Sequence, residues 1–259
     1  MQAMRRFYVP PEKISGDQAL LNGPEAFHLR TVMRLVPGDS VVIFDGTGNA
    51  YDAQVSALEG KQIRLSLIAK RAADAGAGST IILAQGYLKD KKMDSLVRPL
   101  TELGLHRWIP FMAIRSVPAP DKKRLENRVD RWRKLSLEAM KQCRRNTPLL
   151  IDTPVSFEEV LREAEPCDIK ILFWEEANCG FTPEPVPVPA NVRVFLLIGP
   201  EGGFDAAEIK AARNRGFLPM GLGPRILRAE TATLAACTLI QHVWGDMGLN
   251  ASKFNPKTA

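Results

Sequence analysis

Hydrophobic and polar positions change rhythm part-way along the chain. Through residue 70 the apolar runs are short and broken by turn residues. "RRFYV" reads as a strand and "PEAFHLRTVMRL" as a short helix with Pro24 near its start. "DSVVIFDGTGNAYDAQVSAL" reads as two strands joined through Asp45-Gly46-Thr47-Gly48-Asn49. "KQIRLSLIAKR" alternates polar and apolar positions, as a half-buried strand does. Short strands with one helix predict a small β-barrel over residues 1–72. The small, glycine-rich stretch at 73–79 predicts a linker.

From residue 80 strands and helices alternate. Strand "TIILAQ" precedes helix "KKMDSLVRPLTELGL", which closes at Gly104, and strand "RWIPFMAI" follows. A long helix is predicted over 121–145. Leu125, Val129, Trp132, Leu135, Ala139 and Cys143 form its apolar face, and most of the rest is Lys and Arg. Then come "PLLI", "SFEEVLREA", "DIKILFW", a proline-rich loop "TPEPVPVPANV", "RVFLLI", "DAAEIKAARNRG", "FLPMGL" and "AETATLAACTLIQHVWGDM". This alternation predicts an α/β domain over 80–259, a mainly parallel sheet with helices on both faces.

Composition narrows the classes. Of 259 residues, 45% are hydrophobic and 25% charged, ordinary values for a globular chain. No apolar run approaches the roughly 18 residues of a membrane span, and no apolar stretch follows the N-terminal arginines as in a signal peptide. A cytoplasmic protein is expected. The cysteines at 143, 167, 179 and 237 include no C-x-x-C pair, so reduced thiols are expected and a metal site is not. The net charge of +6 is unevenly placed. Residues 85–150 carry 16 Lys+Arg against 7 Asp+Glu, a net +9, whereas 151–259 carry 10 against 14, a net −4. A basic middle segment is the footprint of a polyanion-binding face or of a solvated helix.

The chemistry concentrates in two loops. "FLLIGPEGGFDAAEI" runs from an apolar strand through Gly199-Pro200-Glu201-Gly202-Gly203 into a helix. It lacks the lysine of a phosphate-binding P-loop and the G-x-G-x-x-G spacing of a dinucleotide fold. About 20 residues on, "LGPRILRAETATLAA" repeats the strand–glycine–helix pattern. Two such loops at the carboxyl end of one sheet form a crevice. Gly199, Gly202, Gly203, Gly221 and Gly223 are expected to let backbone approach a flat ligand, with Leu222, Ile226 and Leu227 as apolar walls. The pattern points to a nucleoside-type ligand.

"IGPEGGF" with "LGPRILRAETA" resembles the paired motif of SPOUT-superfamily RNA methyltransferases, above all the bacterial small-subunit (16S) ribosomal RNA uridine N3-methyltransferases. "RRFYV", "HLRTVMR" and the stretch around "VVIFDGTGN" resemble that family's N-terminal PUA-like barrel. "TELGL" and "EAMKQCRRNTP" resemble segments of its catalytic domain. Ala229 stands where the family pattern has Thr, and Lys141 where Glu is common.

The resemblance implies a deep trefoil knot, a homodimer packed through the knotted domain, and S-adenosyl-L-methionine held between the loops. It implies cofactor contacts from Leu172, Glu175, Ile198, Gly199, Pro200, Glu201, Gly202, Leu222, Gly223, Ile226, Leu227, Ala229, Thr231 and Ala232. It also implies ribosomal RNA or the small subunit as partner, with no metal and no membrane.

Methylating uridine N3 requires a proton to leave and negative charge on the base to be stabilised. Arg228 is the candidate for the uracil oxygens, and Glu230 for the proton or for orienting Arg228. Glu230 also suits a helix's first turn, and Glu201 suits a loop brace. Arg5, Arg6, Arg30 and Arg34 of the barrel, with Lys122, Lys123, Arg124 and Arg145, are candidate RNA contacts. His28 reads as a satisfied or surface histidine and Trp132 as core. Two further readings stand beside the uridine N3 enzyme: a related methyltransferase acting on another RNA or a ribose 2′-OH, and an RNA-binding assembly factor without turnover.

Overall fold

A computed structural model describes residues 5–72, 79–89, 91–116, 121–177, 179–181 and 191–248. Residues 73–78 of the linker and 182–190 of the proline-rich loop lie outside the described residues. The chain falls into two compact units. One is drawn from Met1–Gly76 and Leu137–Pro148, the other from Ala77–Ser136 and Leu149–Ala259.

The first unit holds β1 (Arg6–Tyr8), β2 (Ile14–Ser15), β3 (Gln18–Leu21), α1 (Gly23–Phe27), β4 (Ser40–Phe44), β5 (Ala50–Glu59) and β6 (Gln62–Lys70). Its six-stranded sheet runs β1-β4-β5-β6-β3-β2. β1 pairs parallel with β4; the other neighbours are antiparallel. Alternation decides the faces. Ile63 and Leu65 of β6 join Phe7, Val41, Ile43, Val55 and Leu29 in one buried cluster. Val42, Phe44 and Ala50 face the other way, onto Met140. That contact explains why 137–148 belongs to this unit. The predicted helix over "PEAFHLRTVMRL" is shorter than its pattern suggested: α1 gives way to a π-helical turn at His28–Val32, and Arg34 then adopts a left-handed φ of 55°.

The second unit holds β7 (Thr80–Gly86), α2 (Lys92–Glu102), β8 (Arg107–Met112), α3 (Lys122–Cys143), β9 (Leu150–Ile151), β10 (Val155–Ser156), α4 (Phe157–Glu163), β11 (Ile169–Phe173), β12 (Arg193–Ile198), α5 (Ala206–Asn214), β13 (Leu218–Met220) and α6 (Ala229–Trp244). The last turns of α3 are counted with the first unit. All pairings in its sheet are parallel, in the order β10-β8-β7-β12-β11-β13, with β9 beside β8.

Central strands are apolar throughout because both faces are covered. Along β12, Val194, Leu196 and Ile198 pack with α2, α3 and α6, while Phe195 and Leu197 pack with α4 and α5. Trp132 of α3 is fully buried, its ring 5.1 Å from Trp108. Burial of one such side chain contributes roughly 1.5–3 kcal/mol.

Candidate active site

The carboxyl ends of β7, β11, β12 and β13 lie side by side, and the loops leaving β11, β12 and β13 enclose a cavity of about 360 Å³. That size suits a nucleoside-sized ligand. Its walls include Phe173, Trp174 and Glu175 after β11, Ile198 to Glu201 with Gly203 and Phe204 after β12, and Leu222, Gly223 and Arg225 to Ala229 after β13, with Ala232 on α6. The paired glycine loops therefore do meet across one crevice.

Local chemistry holds each loop. Asp205 caps α5: its Oδ1 accepts from the Ala207 amide at 3.0 Å, and Glu208 Oε2 accepts from the Asp205 amide at 2.9 Å. Glu208 is buried, and its Oε1 accepts from the Ile114 amide, tying the loop after β8 to the same cap. Gln85, at the end of β7, is the central brace. Its Nε2 donates to the Gly199 carbonyl at 3.1 Å, and its Oε1 accepts from the Thr233 hydroxyl, which also donates to the Ala229 carbonyl. One buried amide thus links the first glycine loop to the opening turn of α6.

The glycines act differently from expectation. A Cβ at Gly199 would lie 3.1 Å from the Phe204 ring, and one at Gly202 would lie 3.0 Å from Arg115. At Gly203, whose φ is +70°, a Cβ would lie 2.7 Å from Glu175 Oε1. At these three positions neighbouring protein leaves little or no room for a Cβ, while the backbone of Gly199 and Gly203 still lines the cavity. Only Gly223 of the five faces open space.

Charge beside the cavity is organised by a residue that the sequence placed only in a basic helix and gave no role. Lys92, the first residue of α2, places its Nζ 3.2 Å from Glu201 Oε1 and 3.5 Å from Glu230 Oε2. The hydrogen bond to Glu201 comes first in raising the Lys92 pKa, with the Glu201 and Glu230 charges adding to it. Burial pushes the Glu201 carboxyl up, but the Lys89 amide and the Lys92 ammonium outweigh it and hold it below the ordinary value. Glu201 is therefore a loop brace that also faces the cavity. Glu230 is not on the cavity wall; it lies behind Lys92, and its Oε2 is buried with no hydrogen bond closer than the 3.5 Å approach of Lys92 Nζ. Arg228 N-caps α6, is exposed, and lines the cavity.

Of the expected cofactor contacts, Leu172, Gly202 and Thr231 are not brought to the cavity wall. Leu172 is buried on the opposite sheet face, among the α4 and α5 contacts, and Thr231 is exposed on α6. Phe173, Trp174, Phe204, Arg225 and Lys92 line the wall without having been singled out for it.

Among the basic candidates, Lys122, Lys123 and Arg124 are exposed, and Arg124 pairs with Asp121 at 3.1 Å. Arg5, Arg30 and Arg34 are exposed on the first unit. Arg6 is held by structure: it lies over the Phe44 ring and donates to Asn146 Oδ1 and the Arg145 carbonyl. Arg145 is half-buried. His28 packs edge-on to Phe7.

A parallel sheet that gathers several strand-to-helix loops around one cavity defines an α/β protein with a nucleoside-type site at its strand ends. Comparison with known proteins narrows this. The profile of an RNA methyltransferase domain matches residues 76–241, and that of an RNA methyltransferase PUA domain matches residues 21–68. The chain belongs to this RNA methyltransferase family. A ribosomal RNA small subunit methyltransferase E from Bacillus subtilis is 29% identical over 248 residues, spanning 92% of this chain and 96% of the relative. The same-named protein of Aquifex aeolicus is 29% identical over 92% of this chain and 100% of its own. The crystal structure of a ribosomal RNA small subunit methyltransferase E from Neisseria gonorrhoeae, bound to S-adenosyl methionine, superposes with a TM-score of 0.82. It is 30% identical, over 94% of this chain and 99% of its own.

Proposed function

We propose that the protein methylates N3 of a uridine in small-subunit (16S) ribosomal RNA, with S-adenosylmethionine as donor. The observation that carries this reading is the cavity where both glycine loops meet, in a chain that aligns over nearly its whole length with small-subunit RNA methyltransferases.

The residues present fit the cofactor. Phe173, Ile198, Leu222 and Leu227 offer apolar surface for a base, and the backbone of 198–200 and 222–229 offers donors and acceptors beside it. Glu175 and Glu201 face the cavity, so a bound cation meets negative charge, and Glu175 would accept from ribose hydroxyls. No phosphate-seeking lysine loop is needed for such a ligand. When bound, S-adenosylmethionine supplies an electrophilic methyl group.

The chain's own task is to make the acceptor nucleophilic. Glu230 accepts the N3 proton, leaving an electron pair on N3 for the methyl group. Arg228, exposed at the cavity, stabilises the charge that develops on the uracil oxygens. The exposed cations Lys122, Lys123, Arg5, Arg30 and Arg34 contact RNA phosphate, which positions the substrate without reading sequence. The same reading takes the region around β12, β13 and α6 as knotted and the protein as a homodimer packed through it; Leu239 of α6 and Met247 are exposed apolar residues that support such a contact.

The test is incubation with methyl-labelled S-adenosylmethionine and small-subunit ribosomal RNA, free and in the assembled particle. Label is expected in RNA from one of the two. Absence of label from both, with the cofactor shown to bind, contradicts the reading.

A further inference from the structure

Lys92 stands in the wrong place for its own helix. It is the first residue of α2, where unsatisfied amides and the helix dipole favour negative charge, and Lys91 precedes it. No backbone preference puts a cation there. Departures from local preference concentrate at functional sites. What Lys92 gains is two carboxylates from two different loops: Glu201, from the loop after β12, at 3.2 Å and Glu230, from the first turn of α6, at 3.5 Å. The Lys92 side chain is 37% exposed, and those of Glu201 and Glu230 are each 25% exposed. Ion pairs this open to water contribute little to stability, so stability is a weak reason for the arrangement. Position is a better one.

The geometry points to Lys92 as a positioning residue for methyl transfer, its ammonium reaching from the cavity wall to hold the neighbouring Glu230 carboxylate against the brace formed by Glu201. This rests on the proposed role of Glu230 as proton acceptor. Glu201 is itself fixed, since it accepts from the Lys89 amide at 3.1 Å. It therefore serves as an anchor, and Lys92 transmits that anchor to Glu230. Glu230 needs such help: its Oε2 has no hydrogen bond closer than the 3.5 Å approach of Lys92, and Arg228, at the N-cap position of α6, neither caps the helix with its side chain nor pairs with Glu230 among the described residues. Without Lys92, the Glu230 side chain has rotamer freedom at the moment it must meet the N3 proton. Ordering lost from a reacting group appears in turnover rather than in ligand affinity. Lys92 also lines the cavity, so its charge lies where the acceptor base arrives.

The experiment measures single-turnover methyl transfer at saturating S-adenosylmethionine and RNA, cofactor affinity by calorimetry, and melting temperature. It compares the unaltered protein, Lys92→Met, Lys92→Arg, Glu230→Gln and the double variant Lys92→Met/Glu230→Gln. Lys92→Met is expected to slow transfer by about 10-fold or more, with cofactor affinity within about threefold (~0.6 kcal/mol). Lys92→Arg should recover most of the rate, because a guanidinium can still bridge two carboxylates. The double variant should be no slower than Glu230→Gln within about threefold, because Lys92 acts through Glu230. A Lys92→Met rate within twofold of the unaltered protein, beside a slow Glu230→Gln, overturns this inference alone. Rate, cofactor affinity and melting temperature falling together make Lys92 a strut and also overturn it. Glu230→Gln at full rate removes the proton-acceptor reading and this inference with it.

Discussion

Gly86→Ala is a one-carbon change whose consequence can be worked from distances. Gly86 ends β7, and a Cβ there would lie 2.4 Å from Pro200 N, 2.6 Å from Pro200 Cδ and 2.8 Å from Gly199 C. These are backbone or ring atoms, with no flexible side-chain end to swing aside. Reaching the 3.4 Å of ordinary contact requires about 1 Å of movement between the end of β7 and the first glycine loop. The Gln85 amide resists that movement through its 3.1 Å bond to the Gly199 carbonyl.

Overpacking of this kind costs about 1–3 kcal/mol, or a melting-temperature loss of roughly 2–12 °C for a domain this size. A misplacement of about 1 Å at a reacting centre lowers methyl transfer by roughly 100-fold. Calorimetric melting, cofactor titration and single-turnover transfer give the three readouts. Gly180→Ala is the matched control, because its Cβ meets nothing within 4 Å and its backbone is not left-handed. It should stay within about 0.5 kcal/mol of the unaltered protein. If Gly86→Ala behaves like Gly180→Ala in all three readouts, the close approach of β7 to the glycine loop does not set the site, and the reasoning fails.

Further expectations are independent of that one. Arg228→Ala should slow single-turnover transfer by roughly 100-fold while cofactor affinity changes less than about fivefold; parallel loss of both would make Arg228 part of the cofactor frame. Burial pushes the Asp45 carboxyl up, but hydrogen bonds from Asn49 and Thr47 outweigh it and hold it below the ordinary 3.8. A lowered folded pKa gives stability that is present above 3.8 and lost as pH falls through the folded value, so the Asp45 contribution to the first unit's stability should fade below about pH 3.8. Asp45→Asn should flatten that limb, and an unchanged acid profile would count against the Asp45 network. Full burial raises the Cys237 thiol far above its usual range, whereas Cys179 is exposed. Brief iodoacetamide treatment followed by peptide mass spectrometry should label Cys179 well ahead of Cys237. Replacing Lys122, Lys123 and Arg124 with Ala should reduce the salt dependence of RNA binding; an unchanged slope assigns that helix end to solvent.

Local pattern carried a large part of this structure, because local physics produced it. The unbroken apolar run in "RVFLLI" predicts a strand buried on both faces, and β12 is one. "FDAAEI" holds Asp205 and Glu208 at capping-box spacing, and α5 starts there. The paired glycine loops pointed to one crevice, and they line one cavity.

What stayed hidden depends on register between distant segments. Lys92 read as one cation in a basic stretch; only the parallel pairing of β7 with β12 brings it to Glu201. Gln85 closes the quoted strand "TIILAQ"; its bond to Gly199 needs β12 beside β7, and its bond from Thr233 needs α6 packed over them. The glycines were read as places for backbone to approach a ligand; that Phe204, Arg115 and Glu175 also crowd the Cβ positions of Gly199, Gly202 and Gly203 could not be read from the sequence. Trp132 was legible as core because helical spacing aligned it with Val129 and Leu135, and its indole N–H donating to Asp94 at 2.6 Å added a detail the spacing could not.

The central claim is methylation of uridine N3 in small-subunit ribosomal RNA, and nucleoside analysis tests it most directly. Unmethylated small-subunit particles are incubated with the protein and methyl-labelled S-adenosylmethionine; the RNA is then digested to nucleosides and the labelled product identified by mass spectrometry against standards. The label is expected in 3-methyluridine, at one position, formed by the unaltered protein and strongly reduced with Glu230→Gln. Label in a 2′-O-methylated nucleoside or in another base, or equal 3-methyluridine from Glu230→Gln, would contradict it.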